Sequence, residues 1–114
     1  MNRGEIWLIN LDPTVGAEIK KTRPAVIVND NAIGVLPLRV IVPITEWKER
    51  YADAPWIVEI SPETNSGLDK LSAADTFQIR SVSKTRFIKK IGNLSEIAMD
   101  KIAKALAIVL CIKP

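Results

Sequence analysis

Apolar residues fall into short runs separated by turn residues over most of the chain, and only the C-terminal segment shows helical spacing. Glu5 to Asn10 sets Ile6, Trp7, Leu8 and Ile9 between Gly4 and Asp12-Pro13, which predicts a compact strand. Ala25 to Val28 is continuously apolar, the mark of a strand buried on both faces. Arg39 to Ile44 has the same character, but Pro43 has no N–H to give to a ladder, so an edge or a bulge is expected there. Trp56 to Ile60 is a fourth run, ended by Ser61-Pro62. Residues 71–80 and 86–91 read as two more short strands, and Glu46 to Tyr51 has room for one or two helical turns. Many short strands in a small chain predict an antiparallel sheet curled into a small barrel.

The last segment predicts a helix. Ser95 can cap it, Glu96 sits at its positive end, and Leu94 with Met99 has the spacing of a hydrophobic staple. Met99, Ile102, Ala103, Leu106, Val109 and Leu110 follow one face, with Asp100, Lys101 and Lys104 on the other. Ala105 to Ile112 is apolar all round, which calls for cover by the barrel or, as favoured here, by a second subunit. The fold class is therefore mainly β with a C-terminal α-helix. Trp7 and Trp56 lie inside apolar runs and are assigned to the core, whereas Trp47, among Glu46, Lys48 and Glu49, is assigned to the surface.

Composition narrows the chemistry. The 114 residues fit one domain over 1–114, and 47% apolar with 25% charged residues describes a folded globular chain. Histidine is absent and Cys111 is the only cysteine. Serine–histidine and cysteine–histidine nucleophile pairs, an intrachain disulfide and a cysteine-built metal site are thereby excluded. Asp53, Glu59, Glu63, Asp69 and Asp75 show no metal-site spacing, so neither a metal nor a cofactor is expected. Chemistry falls to Arg, Lys, Asp, Glu, Ser, Thr, Tyr or the backbone. The first residues show no signal-peptide stretch, and the longest apolar run is eight residues against the roughly 20 that span a bilayer. No membrane partner and a cytoplasmic location are expected.

Two segments stand out against the mild net charge of +3. Leu11 to Arg23 is long for a hairpin connection and carries Glu18, Lys20, Lys21 and Arg23. Pro24 holds Arg23 extended at the mouth of a buried strand, an arrangement suited to gripping an anion. From Thr76 to Ser95 come Arg80, Lys84, Arg86, Lys89 and Lys90 with no acidic residue, interleaved with Gln78, hydroxyl side chains and Phe87. That mixture suits phosphate and base-edge contacts. Thr45 ends an apolar strand, where its hydroxyl can be held rigidly toward a cleft.

Arg3-Gly4-Glu5-Ile6-Trp7, Leu11-Asp12-Pro13-Thr14, Gly16-Ala17-Glu18, Arg23 to Val28, Val42 to Thr45 and Gln78 to Ser81 with Ser83 to Phe87 form a recognisable series. Over nearly its whole length the chain resembles the MazF/PemK family of toxin endoribonucleases from bacterial toxin–antitoxin modules. The resemblance implies a small SH3-like, CcdB/MazF-type barrel that works as a homodimer. It implies sequence-specific, metal-independent cleavage of single-stranded RNA, the activity of an mRNA interferase. It also implies a cognate antitoxin whose acidic and apolar tail covers the RNA groove, and operator DNA bound only through that complex. By position, Arg23 and Thr45 match the family's active-site pair, Glu18 a supporting loop glutamate, and Gln78 and Arg80 the RNA groove. Lys20, Lys21, Lys84 and Arg86 belong to the basic clusters beside them. Ala17 and Ile19 replace the serine and glutamine frequent in the loop, Lys21 takes a glycine position, and Phe77 stands where an acidic residue is frequent.

The residue chemistry agrees with that assignment. RNA supplies its own nucleophile, the 2′-hydroxyl, and an arginine fork gives two aimed donors to phosphate oxygens. Arginine is a poor base, which leaves Glu18 as the candidate proton acceptor. Two other classes compete: a CcdB-like toxin that poisons gyrase without cleavage, and an inert nucleic-acid-binding module.

Overall fold

A computed structural model describes residues 1–113. Seven strands precede one helix: β1 (Glu5–Asn10), β2 (Thr22–Ile27), β3 (Leu38–Glu46), β4 (Ile57–Ile60), β5 (Ser72–Asp75), β6 (Arg80–Ser83), β7 (Phe87–Asn93) and α1 (Glu96–Val109). All pairings are antiparallel, in the order β4-β5-β3-β2-β1-β7, with β6 also on β3. The barrel is open between its end strands β4 and β7. Part of that seam is bridged by the β4–β5 connection, where the Asn93 N–H donates to Asn65 O at 2.7 Å. Gly67 and Gly92 let the backbones touch there, because a Cβ on either would land on the opposing main chain.

The long strand β3 organises the rest. Its central residues Ile41 to Ile44 are buried, and so are Ala25 to Val28 across from them, as their continuous apolar runs predict. One face of these strands carries Val26, Val42 and Ile44 into a core with Ala98, Met99, Ile102 and Ala105 of α1. The opposite face carries Ala25, Ile27 and Ile41 into a second core with Ile9, Leu11 and Val82.

The expected strand over 71–80 is broken. From Ile44 opposite Ala74 to Ile41 opposite Arg80, three steps along β3 accompany six along the other chain. The excess is taken up by a 3₁₀ turn at Thr76–Gln78. Pro43 explains the place. The Val28 N–H donates to Val40 O at 2.9 Å, so alternation points the even-numbered residues of this stretch at β2 and the missing Pro43 donor at the bulge. The helical turn expected after β3 is a 3₁₀ turn at Glu49–Asp53.

α1 is capped as predicted: Ser95 Oγ accepts from the Ala98 N–H at 3.2 Å, and Leu94 and Met99 share one core. Its buried stripe is rotated from the expected one, with Ala98 and Ala105 inside and Ala103 and Leu110 exposed. The tryptophan assignment is corrected too. Trp56 precedes β4 instead of lying in it and is 39% exposed. Trp47 is half-buried, its ring edge-on to Tyr51 at 5.9 Å.

Candidate active site

Strand pairing brings Arg23 and Thr45 together. β2 and β3 pair outward as far as Ala25 opposite Pro43, and just beyond that pair Arg23 and Thr45 line one pocket. Thr45 is fixed from its other edge by pairing with Ala73 of β5. Both side chains are half-buried and line a pocket of about 150 Å³ whose walls include Glu46, Asp69, Lys70 and Ser72. The Arg23 Nε–H donates to Lys20 O at 3.4 Å. Arg23 makes no ion pair among the described residues, so its terminal nitrogens remain available to an anion.

Residues alternate along β3, so Pro43 and Thr45 project from the same face, the one opposite α1. Beside Pro43 opens a larger cleft of about 490 Å³, lined by Ala17 to Ile19 of the β1–β2 loop and by Phe77 to Arg80. Glu18 belongs to this cleft, with its carboxylate accepting from the Val15 N–H. The predicted residues thus divide between two adjoining depressions: Arg23 and Thr45 in the pocket, and Glu18, Gln78 and Arg80 in the cleft.

Several residues expected to meet RNA also hold the loop. Gln78 Oε1 accepts from the Ile19 N–H at 2.6 Å, and its Nε2 donates to Ala17 O and to Asp75 Oδ2, each at 3.4 Å. Arg80 Nη1 donates to Leu11 O at 3.1 Å, and Arg86 Nη1 donates to the carbonyls of Asn10 and Asp12. Lys20, Lys21 and Lys84 are exposed. The base of the loop is tied by the Leu11 N–H donating to Lys21 O at 2.9 Å and the Lys21 N–H donating to Asp12 Oδ1 at 3.0 Å. Lys21 sits at φ 69°, in the left-handed region that favours glycine.

Sequence reasoning passed over Glu46, Asp69 and Lys70, because the connection that brings Asp69 and Lys70 to the pocket carries no motif. It also passed over Asp75, whose carboxyl is pushed up by burial despite donors from Phe77 and Gln78.

A family model described as PemK-like, MazF-like toxin of type II toxin–antitoxin system matches residues 2–110. The chain belongs to this family. Endoribonuclease MazF9 of Mycobacterium tuberculosis is 33% identical over 93% of this chain and 92% of its own. Endoribonuclease EndoA of Bacillus subtilis is 32% identical over 98% of this chain and 96% of its own. Among solved structures, MazF of Deinococcus radiodurans superimposes with a TM-score of 0.83 at 19% identity, covering 98% of this chain and 97% of that one. A mycobacterial endoribonuclease in complex with its cognate antitoxin gives 0.80 at 22% identity, covering 100% and 98%. Those two structures show the MazF fold in this chain. The gyrase-poison alternative is not favoured, since both relatives described by sequence are endoribonucleases. In this MazF-like toxin the departure at Ile19 is absorbed structurally: its side chain packs against the second core while its N–H holds Gln78.

Proposed function

We propose that this MazF-like toxin is an endoribonuclease that cleaves single-stranded RNA within short sequence motifs. The observation that carries the reading is the pocket that Arg23 and Thr45 line together, with Arg23 in no ion pair among the described residues. In the reaction the 2′-oxygen of one nucleotide attacks its own 3′-phosphorus while the bond to the 5′-oxygen breaks. The products are a 2′,3′-cyclic phosphate and a 5′-hydroxyl end. Arg23 donates to the non-bridging oxygens as charge builds on them, and the Thr45 hydroxyl adds a further donor. Glu18 takes the 2′-proton in this reading, and a protonated donor returns one to the departing 5′-oxygen. Lys20, Lys21 and Lys84 neutralise the flanking phosphates, beside the outward faces of Gln78, Arg80 and Arg86.

The toxin acts in the cytoplasm as a homodimer. A cognate antitoxin covers the RNA groove, and operator DNA is met only through that complex. Antitoxin-bound relatives of the same fold support the antitoxin partner.

The test is cleavage of a long unstructured RNA in EDTA, with the new ends mapped. Arg23→Ala and Thr45→Ala are each expected to slow cleavage by about 10²–10³ while the protein stays folded. Near-normal rates in Arg23→Ala would remove the assignment. Glu18→Gln is compared with Glu46→Gln and Asp69→Asn, the carboxylates of the pocket itself. Of the three, Glu18→Gln alone is expected to slow cleavage by about 10²-fold or more.

A further inference from the structure

Phe77 is 67% exposed on the wall of the larger cleft, an unusual place for a phenylalanine. It is rigidly mounted. The 3₁₀ turn that carries it is capped by Asp75, whose Oδ1 accepts from the Phe77 N–H at 3.1 Å. Beneath it the buried Thr76 donates through both N–H and Oγ to Trp56 O, at 3.0 and 2.6 Å. The Trp56 ring, itself 39% exposed, stands edge-on to Phe77 with centroids 6.1 Å apart. Phe77, backed by the Trp56 ring, is thereby fixed on the wall of a cleft of about 490 Å³, within the range of roughly 300–1,000 Å³ typical of ligand pockets. Glu18, Gln78 and Arg80 supply polar groups around it.

We propose that Phe77, braced by Trp56, is a stacking platform for one unpaired base of the RNA and so helps set the toxin's sequence preference. This rests on the reading that RNA is the substrate. The occupant is argued from charge as well as shape. From Arg80 to Lys90 the adjoining chain carries five cations and no acidic residue, which suits a polyanion whose bases have apolar faces. A phenyl ring offers no hydrogen-bond pattern, so it selects by stacking strength while polar neighbours read the base edge.

Affinity is measured with random-sequence single-stranded DNA, which lacks the 2′-hydroxyl and is not cut, and cleavage with the matching RNA. Phe77→Ala and Phe77→Leu are each expected to weaken DNA binding about tenfold or more and to raise KM for RNA with little change in kcat. They should also redistribute the cleavage sites, while Phe77→Tyr restores wild-type values. Wild-type affinity and sites in Phe77→Leu would overturn the stacking role, since leucine keeps the apolar area without the ring. Unchanged nucleic-acid binding with weakened self-association in Phe77→Ala would assign the ring to a contact between copies and likewise overturn it. Failure of the wild-type protein to bind or cut RNA would remove the functional reading and this inference together. Normal cleavage with indifferent Phe77 variants would remove only the inference.

Discussion

Two carboxylates respond to the fold in opposite ways. Burial pushes Glu5 up, but hydrogen bonds from the Trp7 indole and the Asn2 backbone, with the Met1 ammonium and Lys90, outweigh it and hold the group below 4.5. The fold therefore gains stability from Glu5 above that value and loses it as pH falls through the depressed one. Asp75 lies on the other side: burial leads, and its carboxyl is held above 3.8. Its protonated form fits the fold better, so stability is greatest below 3.8 and declines as pH rises through the raised value. Urea midpoints between about pH 3 and 7 should show a smaller acid loss in Glu5→Gln and no such decline in Asp75→Asn. Lys21 gives a second test at this scale. Lys21→Gly should leave stability within about 0.5 kcal/mol, because relieved strain offsets added unfolded-state freedom, whereas Lys21→Val should cost more than about 1 kcal/mol. The places of Arg23 and Thr45 near strand ends were legible because Pro24 and an apolar run mark them. Arg39 was not. It is buried and bonded only to carbonyls, those of Met1, Gly34, Leu36 and Leu38, and a strand-opening arginine looks the same in sequence whether solvated or buried.

Among the elements, the apolar runs at 25–28 and 39–44 announced strands buried on both sides, and Ser95 announced the start of α1. Where a proline interrupts pairing could also be read, since Pro43 marks the bulge. The length of the inserted turn could not, because it depends on what the partner strand must skip. Nor could the seam, which depends on residues far apart in sequence meeting backbone to backbone. Gly92→Ala would drive a methyl into the main chain of Asn65 and Ser66. An overpacking loss of about 2–3 kcal/mol is expected, measured as a lowered midpoint in thermal unfolding. Gly67→Ala should cost at least as much, because that residue also sits at φ 74°.

For the molecule as a whole, the apolar end of α1 remains uncovered. Ile108, Leu110 and Ile112 are all more than half exposed, on one end of a helix whose other face is fully packed. A second copy placed there would bury them. Sedimentation at micromolar concentration should show a dimer for the wild-type chain and a monomer for Ile108→Glu, with circular dichroism unchanged. A monomeric wild-type chain would leave a second copy at the helix end without support.

The pairing of β1 with both β2 and β7 sets an order of events during synthesis. β2 and β3 can meet early, but the outer edge of the first strand stays unpaired until residues 87–93 have left the ribosome. The wall of the cleft at 77–80 also arrives late, after the loop it must hold. A growing chain therefore carries Arg23 long before residues 68–72 complete the pocket around it. Both the pocket and the closed edge of the first strand are finished only near the end of the chain's own translation.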